Sequence, residues 1–411
     1  MKNSLLGKDP VLPEHIRKTL SRVMIGEIAM KIVIAPDSFK ESLTADEVAS
    51  AIASGFRKVF PDAEIVNVPL ADGGEGTVRA LIAATGGKII KKQVTGPLGT
   101  PVTAFYGLLG DGKTAVIEIA AASGLHLIPS EERNPLITTT KGTGELILAA
   151  LDEGVERIII GLGGSATNDG GSGLVQALGA RLVDEEGRDL PPGGGSLGRL
   201  AKIDITGLDS RLFRVKISVA CDVTNPLLGE YGASRTFAPQ KGATPEMVEE
   251  LERNLTHYAT ILKRDLDKDI SAIPGAGAAG GTAAGLIAFL DAELKRGIDI
   301  VIEATRLEEK IKDADLVVTG EGKIDGQTLS GKTPIGVAQL AKKYHIPVVA
   351  ICGSISHDAH LVYEQGIDAI FSILANITSL DEALERAAEN VERTSFNLAV
   401  LLKIAGDLKV V

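Results

Sequence analysis

Apolar and polar positions alternate between two periods along most of this chain. Short apolar runs of parallel-strand type are separated by stretches with helical spacing. Lys31 to Ala35 reads as a buried strand, and Glu64 to Leu70 as the next. Between them Thr44-Ala45-Asp46-Glu47 forms a capping-box signature, which opens a helix running toward Phe60. Asp299 to Glu303, Leu316 to Thr319 and Val348 to Cys352 are further apolar runs, with a helical pattern over Pro334 to Tyr344. Ser379-Leu380-Asp381-Glu382 is a second capping-box signature, ahead of a long C-terminal helix. Repeated strand–helix units predict a parallel sheet covered by helices on both faces.

The middle of the chain breaks this rhythm. Val102 to Leu109, then Gly110-Asp111-Gly112, then Thr114 to Ile119 reads as a β-hairpin, because Asp-Gly suits the positive φ of a tight turn. Residues 184–198 are rich in Gly and Pro and show little periodicity. These features predict an inserted mixed domain over 79–283. Residues 31–78 and 284–411 then pair as one discontinuous α/β domain, and residues 1–30 stand apart as an N-terminal extension. Glu27 interrupts the apolar stretch Val23 to Met30, which makes a poor signal-peptide core.

Composition narrows the function classes. The 411 residues suffice for two or three domains with real cores. No apolar run approaches the roughly 18–20 residues of a membrane helix. A net charge of -11 and the absence of Trp argue against nucleic acid as the partner. Cys221 and Cys352, both in apolar segments, fit free thiols in a reducing cytoplasm. An anionic substrate of such an acidic protein needs local donors.

The richest candidate for those donors is Ile158 to Gly173, a buried strand running into a glycine-rich loop that carries Asp169. Glycines there let the backbone bring N–H groups close to an anion. Two other strand ends share this grammar of carboxylates among glycines, Asp72 to Gly76 and Gly320 to Asp325, while Pro36 to Lys40 closes the first strand with a lysine able to neutralise a phosphate. In open α/β sheets ligands bind beyond the carboxyl ends of strands. Asp222 ends another apolar run, where it can ligate Mg²⁺ or cap the turn before Asn225-Pro226. Lys241 can hold an acid group, and Gly275 to Thr282 can present N–H groups or simply allow close packing.

Two short motifs compete with this reading. Gly326 to Thr333 matches the P-loop pattern, yet six residues separate it from the expected strand Leu316 to Thr319. Gly161-x-Gly163-x-x-Ala166 matches a dinucleotide fingerprint, with Asp184 in the place of the ribose-binding acid. A helix should then begin at once, but Gly170, Gly171 and Gly173 follow and predict a long loop instead. The six His show no zinc spacing, and no G-x-S-x-G is present.

Taken together, Ile34 to Lys40, Ala71 to Gly76, Gly163 to Gly171, Asn225-Pro226-Leu227, Pro239 to Gly242 and Thr319-Gly320-Glu321-Gly322-x-x-Asp325 resemble the type I glycerate kinase family, collinearly from about residue 31 to near the C-terminus. The resemblance implies ATP- and Mg²⁺-dependent phosphorylation of D-glycerate, usually to 2-phosphoglycerate, with the 3-hydroxyl as the alternative. It also implies two α/β domains, one Rossmann-like and one inserted, with the active site in the cleft between them. A homodimer is compatible with it, and nucleic acid or membrane is not part of it. On phosphoryl-transfer chemistry we assign Asp169 as the candidate base. Lys40 and Lys241 are candidates for holding the glycerate carboxylate or the transferring phosphate. Asp72, Asp222 and Glu321 compete for Mg²⁺. Gly163, Gly164, Gly280 and Gly281 are candidate N–H donors, with Ser38, Gly73, Gly74, Ser165 and Asn168 as further binding residues.

Overall fold

The computed structural model describes residues 30–407 except Glu75, Gln327 and Gly331. The extension 1–30, Met30 aside, lies outside the described residues, as do two positions of the motif Gly326 to Thr333. Among the described residues the strands, in chain order, are β1 (Lys31–Ile34), β2 (Glu64–Asn67), β3 (Lys88–Thr95), β4 (Pro101–Leu108), β5 (Thr114–Glu118), β6 (Arg157–Gly161) and β7 (Arg181–Val183). They continue with β8 (Lys202–Asp204), β9 (Lys216–Ala220), β10 (Glu293–Lys295), β11 (Leu316–Ile324), β12 (Val348–Ile355) and β13 (Ala369–Ser372). The chain divides into two compact units, one made of its two ends up to Leu70 and from Arg306, the other spanning Ala71–Thr305. Segments 71–78 and 284–305, expected with the outer part, therefore fold with the middle one.

The unit made of the chain ends carries a five-stranded sheet in the order β13-β12-β11-β1-β2, and every pair in it is parallel. Ile32, Ile34, Val318 and Ile351 fill its core beside Val48, Ile52 and Phe56 of helix Ala45–Arg57. That helix starts where the sequence places it. Thr44 Oγ1 accepts from Glu47 N–H at 3.3 Å, and Glu47 Oε2 accepts from Thr44 N–H at 2.8 Å. The second expected capping box is half made: Ser379 accepts from Glu382 N–H, while the Glu382 carboxylate takes the Thr378 hydroxyl instead. The helix it opens ends at Glu385, and a separate helix follows over Ala387–Asp407.

The central unit holds a six-stranded mixed sheet in the order β10-β9-β6-β5-β4-β3. β3, β4 and β5 are antiparallel, whereas β5, β6, β9 and β10 run parallel. The predicted hairpin is β4–β5, and Asp111 ties its turn by accepting from the N–H groups of Lys113 and Thr114. β3 has too many lysines to show a strand pattern, which suits an edge strand. The run Asp299 to Glu303 is a helix, Gly297–Thr305, not a strand. Its β-branched residues suggest a strand, but Ile298, Val301 and Thr305 are buried at helical spacing, so packing overrides propensity. β11 runs five residues beyond Thr319, because Gly320 to Ile324 keep pairing with β12.

Candidate active site

Within the central unit a cavity of about 350 Å³ opens at the carboxyl ends of β6 and β9. Leu162, Gly163, Gly164 and Ser165 after β6 form one wall, and Cys221, Asp222 and Val223 after β9 form another. Asp72, Gly73 and Gly74 close one side, while Gln240 and Lys241 close another. The loop after β6, Asp72, Asp222, Lys241 and two residues of the run Gly275 to Thr282, Ala278 and Ala279, all line this one cavity.

Gly73 has φ 89°, and a Cβ on it would stand 2.6 Å from the Ala220 Cβ. Among the described residues the N–H groups of Gly163, Gly164 and Ser165 take no hydrogen bond within the chain, although all three residues line the cavity. Such a run of free N–H groups with a left-handed glycine, Gly164 at φ 72°, is the geometry of an anion nest.

Lys241 supplies the charge. It is 2% exposed, and its ammonium donates to Ser165 Oγ at 2.9 Å and to the Thr167 carbonyl at 2.6 Å. Burial pulls its pKa down to about 7, and the nearby Asp169 charge opposes that fall. The Asp222 carboxylate accepts from Gly297 N–H at 2.9 Å, and Asp72 accepts from Gly74 N–H at 3.1 Å. Burial raises the Asp222 pKa, the Gly297 hydrogen bond counters it, and the Asp72 charge raises it further.

Asp169 is placed elsewhere. It is fully buried and does not line the cavity. Its Oδ2 accepts from the Thr140 N–H and hydroxyl, both at 2.9 Å, and from Gly173 N–H at 3.3 Å; Oδ1 accepts from Gly171 N–H at 3.1 Å. A base must reach the proton it takes, and this carboxylate is spent on tying the loop after β6 to Thr140. Burial still pushes its pKa up, against the four hydrogen bonds. Asn168 sits equally deep, donating to Ser234 Oγ at 3.1 Å. Gly280 and Gly281 do not line the cavity either; Ala278 and Ala279 do. Gly280, at φ 64°, packs where a Cβ would stand 2.0 Å from the Thr167 carbonyl oxygen. Its glycine serves close packing rather than ligand contact.

Lys40, Ser38 and Glu321 belong to the other unit. There the strand order reverses between β1 and β11, and Asp37 and Glu321 stand at that switch point. Asp37 accepts from the Ser38 N–H at 2.6 Å and from the Thr333 hydroxyl at 2.6 Å. Glu321 accepts from the Thr328 hydroxyl at 2.5 Å, and the Lys332 ammonium lies 3.6 Å away. Burial lifts the Glu321 pKa to about 6, with Thr328 and Lys332 opposing and Asp37 adding. Lys40 is exposed. Lys332, the lysine a P-loop would point at phosphate, caps helix Thr333–Lys342 beside this carboxylate. Sequence reasoning did not pair Thr140 with Asp169, Thr328 with Glu321 or Thr333 with Asp37. The threonine run 138–140 was the visible signal for the first, but nothing local named Asp169 as its partner.

A small cavity at parallel-strand ends, with a buried lysine, free N–H groups and two carboxylates, is the kind of place where an α/β enzyme takes a small molecule. Comparison with known proteins supplies the family. Residues 32–403 match the model of the glycerate kinase family. The chain is 60% identical to a glycerate kinase of Bacillus subtilis (strain 168), over 92% of this chain and 98% of that one. It is 61% identical to a glycerate 2-kinase of Escherichia coli (strain K12), over 91% of this chain and 98% of that one. The crystal structure of a proposed glycerate kinase 2 from Salmonella typhimurium LT2 superposes with a TM-score of 0.87 at 58% identity, covering 93% of this chain and all of that one. The chain belongs to the glycerate kinase family. It is a kinase that phosphorylates an alcohol group. No helix of the described residues is long and apolar enough to cross a membrane.

Proposed function

We propose that this enzyme uses ATP to phosphorylate D-glycerate at its 2-hydroxyl, giving 2-phosphoglycerate and ADP. The observation that carries the reading is the pairing of opposite chemistries around one cavity: Lys241 and the Gly163–Ser165 N–H groups on one side, Asp72 and Asp222 on another. Glycerate is a carboxylate with two hydroxyls, and such a cavity holds the acid end while leaving a carboxylate for the hydroxyl proton. The 2-position follows the Escherichia coli relative, a glycerate 2-kinase.

In this reading Lys241 and Ser165 bind the substrate carboxylate or the transferring phosphoryl group. Asp222, partly desolvated, takes the hydroxyl proton or shares a cation with Asp72. Asp169 acts through the loop it ties and through its charge beside Lys241. Mg²⁺ fits the donor set: Asp72 and Asp222 line the same cavity, and Mg²⁺ typically takes one or two carboxylates plus substrate phosphates and water. Asp72 and Asp222 would hold it, and it would neutralise phosphate charge. The switch-point cluster around Asp37 and Glu321 is a second candidate binding place, on the general rule for open α/β sheets.

The test is ADP release with D-glycerate, L-glycerate or neither, in the wild type and in Lys241→Met. D-glycerate should stimulate ADP release in the wild type only. Equal release with and without D-glycerate overturns the reading.

A further inference from the structure

Ser165 and Lys241, which the proposed kinase reaction uses only to hold an anion, also stand in a geometry suited to a second chemistry. A hydroxyl 2.9 Å from a buried lysine nitrogen, with that nitrogen oriented by a third group, is the signature of an activated nucleophile. The third group is the Thr167 carbonyl, at 2.6 Å. Ser165 is 7% exposed, so water competes little for its oxygen, and both side chains line the cavity. The free N–H groups of Gly163 and Gly164 share that wall and can face a developing oxyanion. The arrangement has no G-x-S-x-G turn, which is why the sequence does not announce it.

We propose that Ser165 is an acyl-accepting nucleophile with Lys241 as its base, and that the protein hydrolyses small activated carboxylic esters through an acyl-serine. The neutral amine of Lys241 keeps one N–H on the Thr167 carbonyl and accepts the Ser165 hydroxyl on its lone pair. Oγ attacks the ester carbon as its proton passes to Nζ. The oxyanion collapses, the bond to the alkoxide oxygen breaks, and the alcohol leaves with the proton from Nζ. Water then attacks the acyl carbon, gives its proton to Nζ, and Oγ departs and recovers a proton from it. No electron acceptor or donor is consumed. A cavity of about 350 Å³ suits a short acyl group. Burial favours the neutral amine this chemistry needs, since it brings the Lys241 pKa to about 7. The charged groups around that amine are Asp169 behind the loop, and Asp72 and Asp222 across the cavity.

The experiment uses the full chain with p-nitrophenyl acetate and needs neither ATP nor glycerate. Expected are a burst of p-nitrophenolate, a rate that rises with pH through about 7, and an acetyl group located on Ser165 by peptide mass spectrometry. Ser165→Ala should lower the rate by about 100-fold or more, and Lys241→Met similarly, in the range of lost acid–base assistance. Ser165→Cys should keep acylation. Circular dichroism establishes that each variant is folded, and the position of the acetyl group in the wild type decides the matter if Ser165→Ala does not fold. A wild-type rate equal to that of folded Ser165→Ala, or acetyl found only on other residues, overturns the proposal.

Discussion

Thr140 gives Asp169 two hydrogen bonds of 2.9 Å, one from its N–H and one from its hydroxyl, across 29 residues of sequence. The pair fastens the loop after β6 to the start of helix Lys141–Asp152, and it moves Asp169 from the cavity into the scaffold. Asp169→Asn puts an amide among donors. If the NH₂ faces Thr140, donor meets donor; if it does not, Gly171 N–H loses its acceptor. Stability should fall by about 1–3 kcal/mol, the usual penalty for a buried unsatisfied group. Urea unfolding of the variant measures it. Activity should fall as well, by about 10-fold or more, because Lys241 rests on Ser165 and Thr167 of that loop. A base role instead predicts a drop in kcat with normal stability.

Lys241 makes stability depend on pH. Its folded pKa is about 7, against 10.5 for the free side chain. Between these values the unfolded chain holds a proton that the folded chain has lost. Stability from this group therefore rises with pH across that window and is flat below about 7. Lys241→Met should remove this group's share of the slope, as read from the difference in urea midpoints between variant and wild type at a series of pH values.

Gly280 is a packing device. Alanine there would meet the Thr167 carbonyl oxygen at 2.0 Å and sit at φ 64°. Gly280→Ala should destabilise by about 2–4 kcal/mol, through strain and overpacking together. It should also raise KM for glycerate, since the displaced Thr167 carbonyl holds Lys241. Thermal melting and steady-state kinetics check both parts.

Asp72 and Asp222 are tied down by backbone N–H groups of Gly74 and Gly297. Asp222→Asn should raise the Mg²⁺ concentration giving half-maximal rate by about 10-fold, on the order of one lost charged ligand contact. Titration of the initial rate with Mg²⁺ reads this directly.

Much of the scaffold was legible because its signals are local. Thr44 and Glu47 announce a helix start, Asp111-Gly112 a hairpin, and the isoleucines of β6 a buried strand. What failed was non-local. The helix Gly297–Thr305 carries strand-forming residues and is decided by what packs against it. β11 extends past its glycines because β12 continues beside it. For the candidate site, the cavity brings together Gly163, Gly164, Ser165, Asp72, Asp222 and Lys241, while Ser38, Lys40 and Glu321 lie in the other unit. A sequence pattern does not tell which face of a loop a carboxylate takes. Asp169 turned inward because Thr140, far along the chain, had donors to offer.

Phosphorus NMR of the product from D-glycerate, ATP and Mg²⁺ tests the central claim most directly. Transfer to the 2-hydroxyl gives a new phosphomonoester resonance split by a single proton, that of the carbon at position 2. A resonance split by two protons would place the phosphate at position 3 and contradict the regiochemistry. ATP left intact in the presence of D-glycerate would contradict the kinase reading itself.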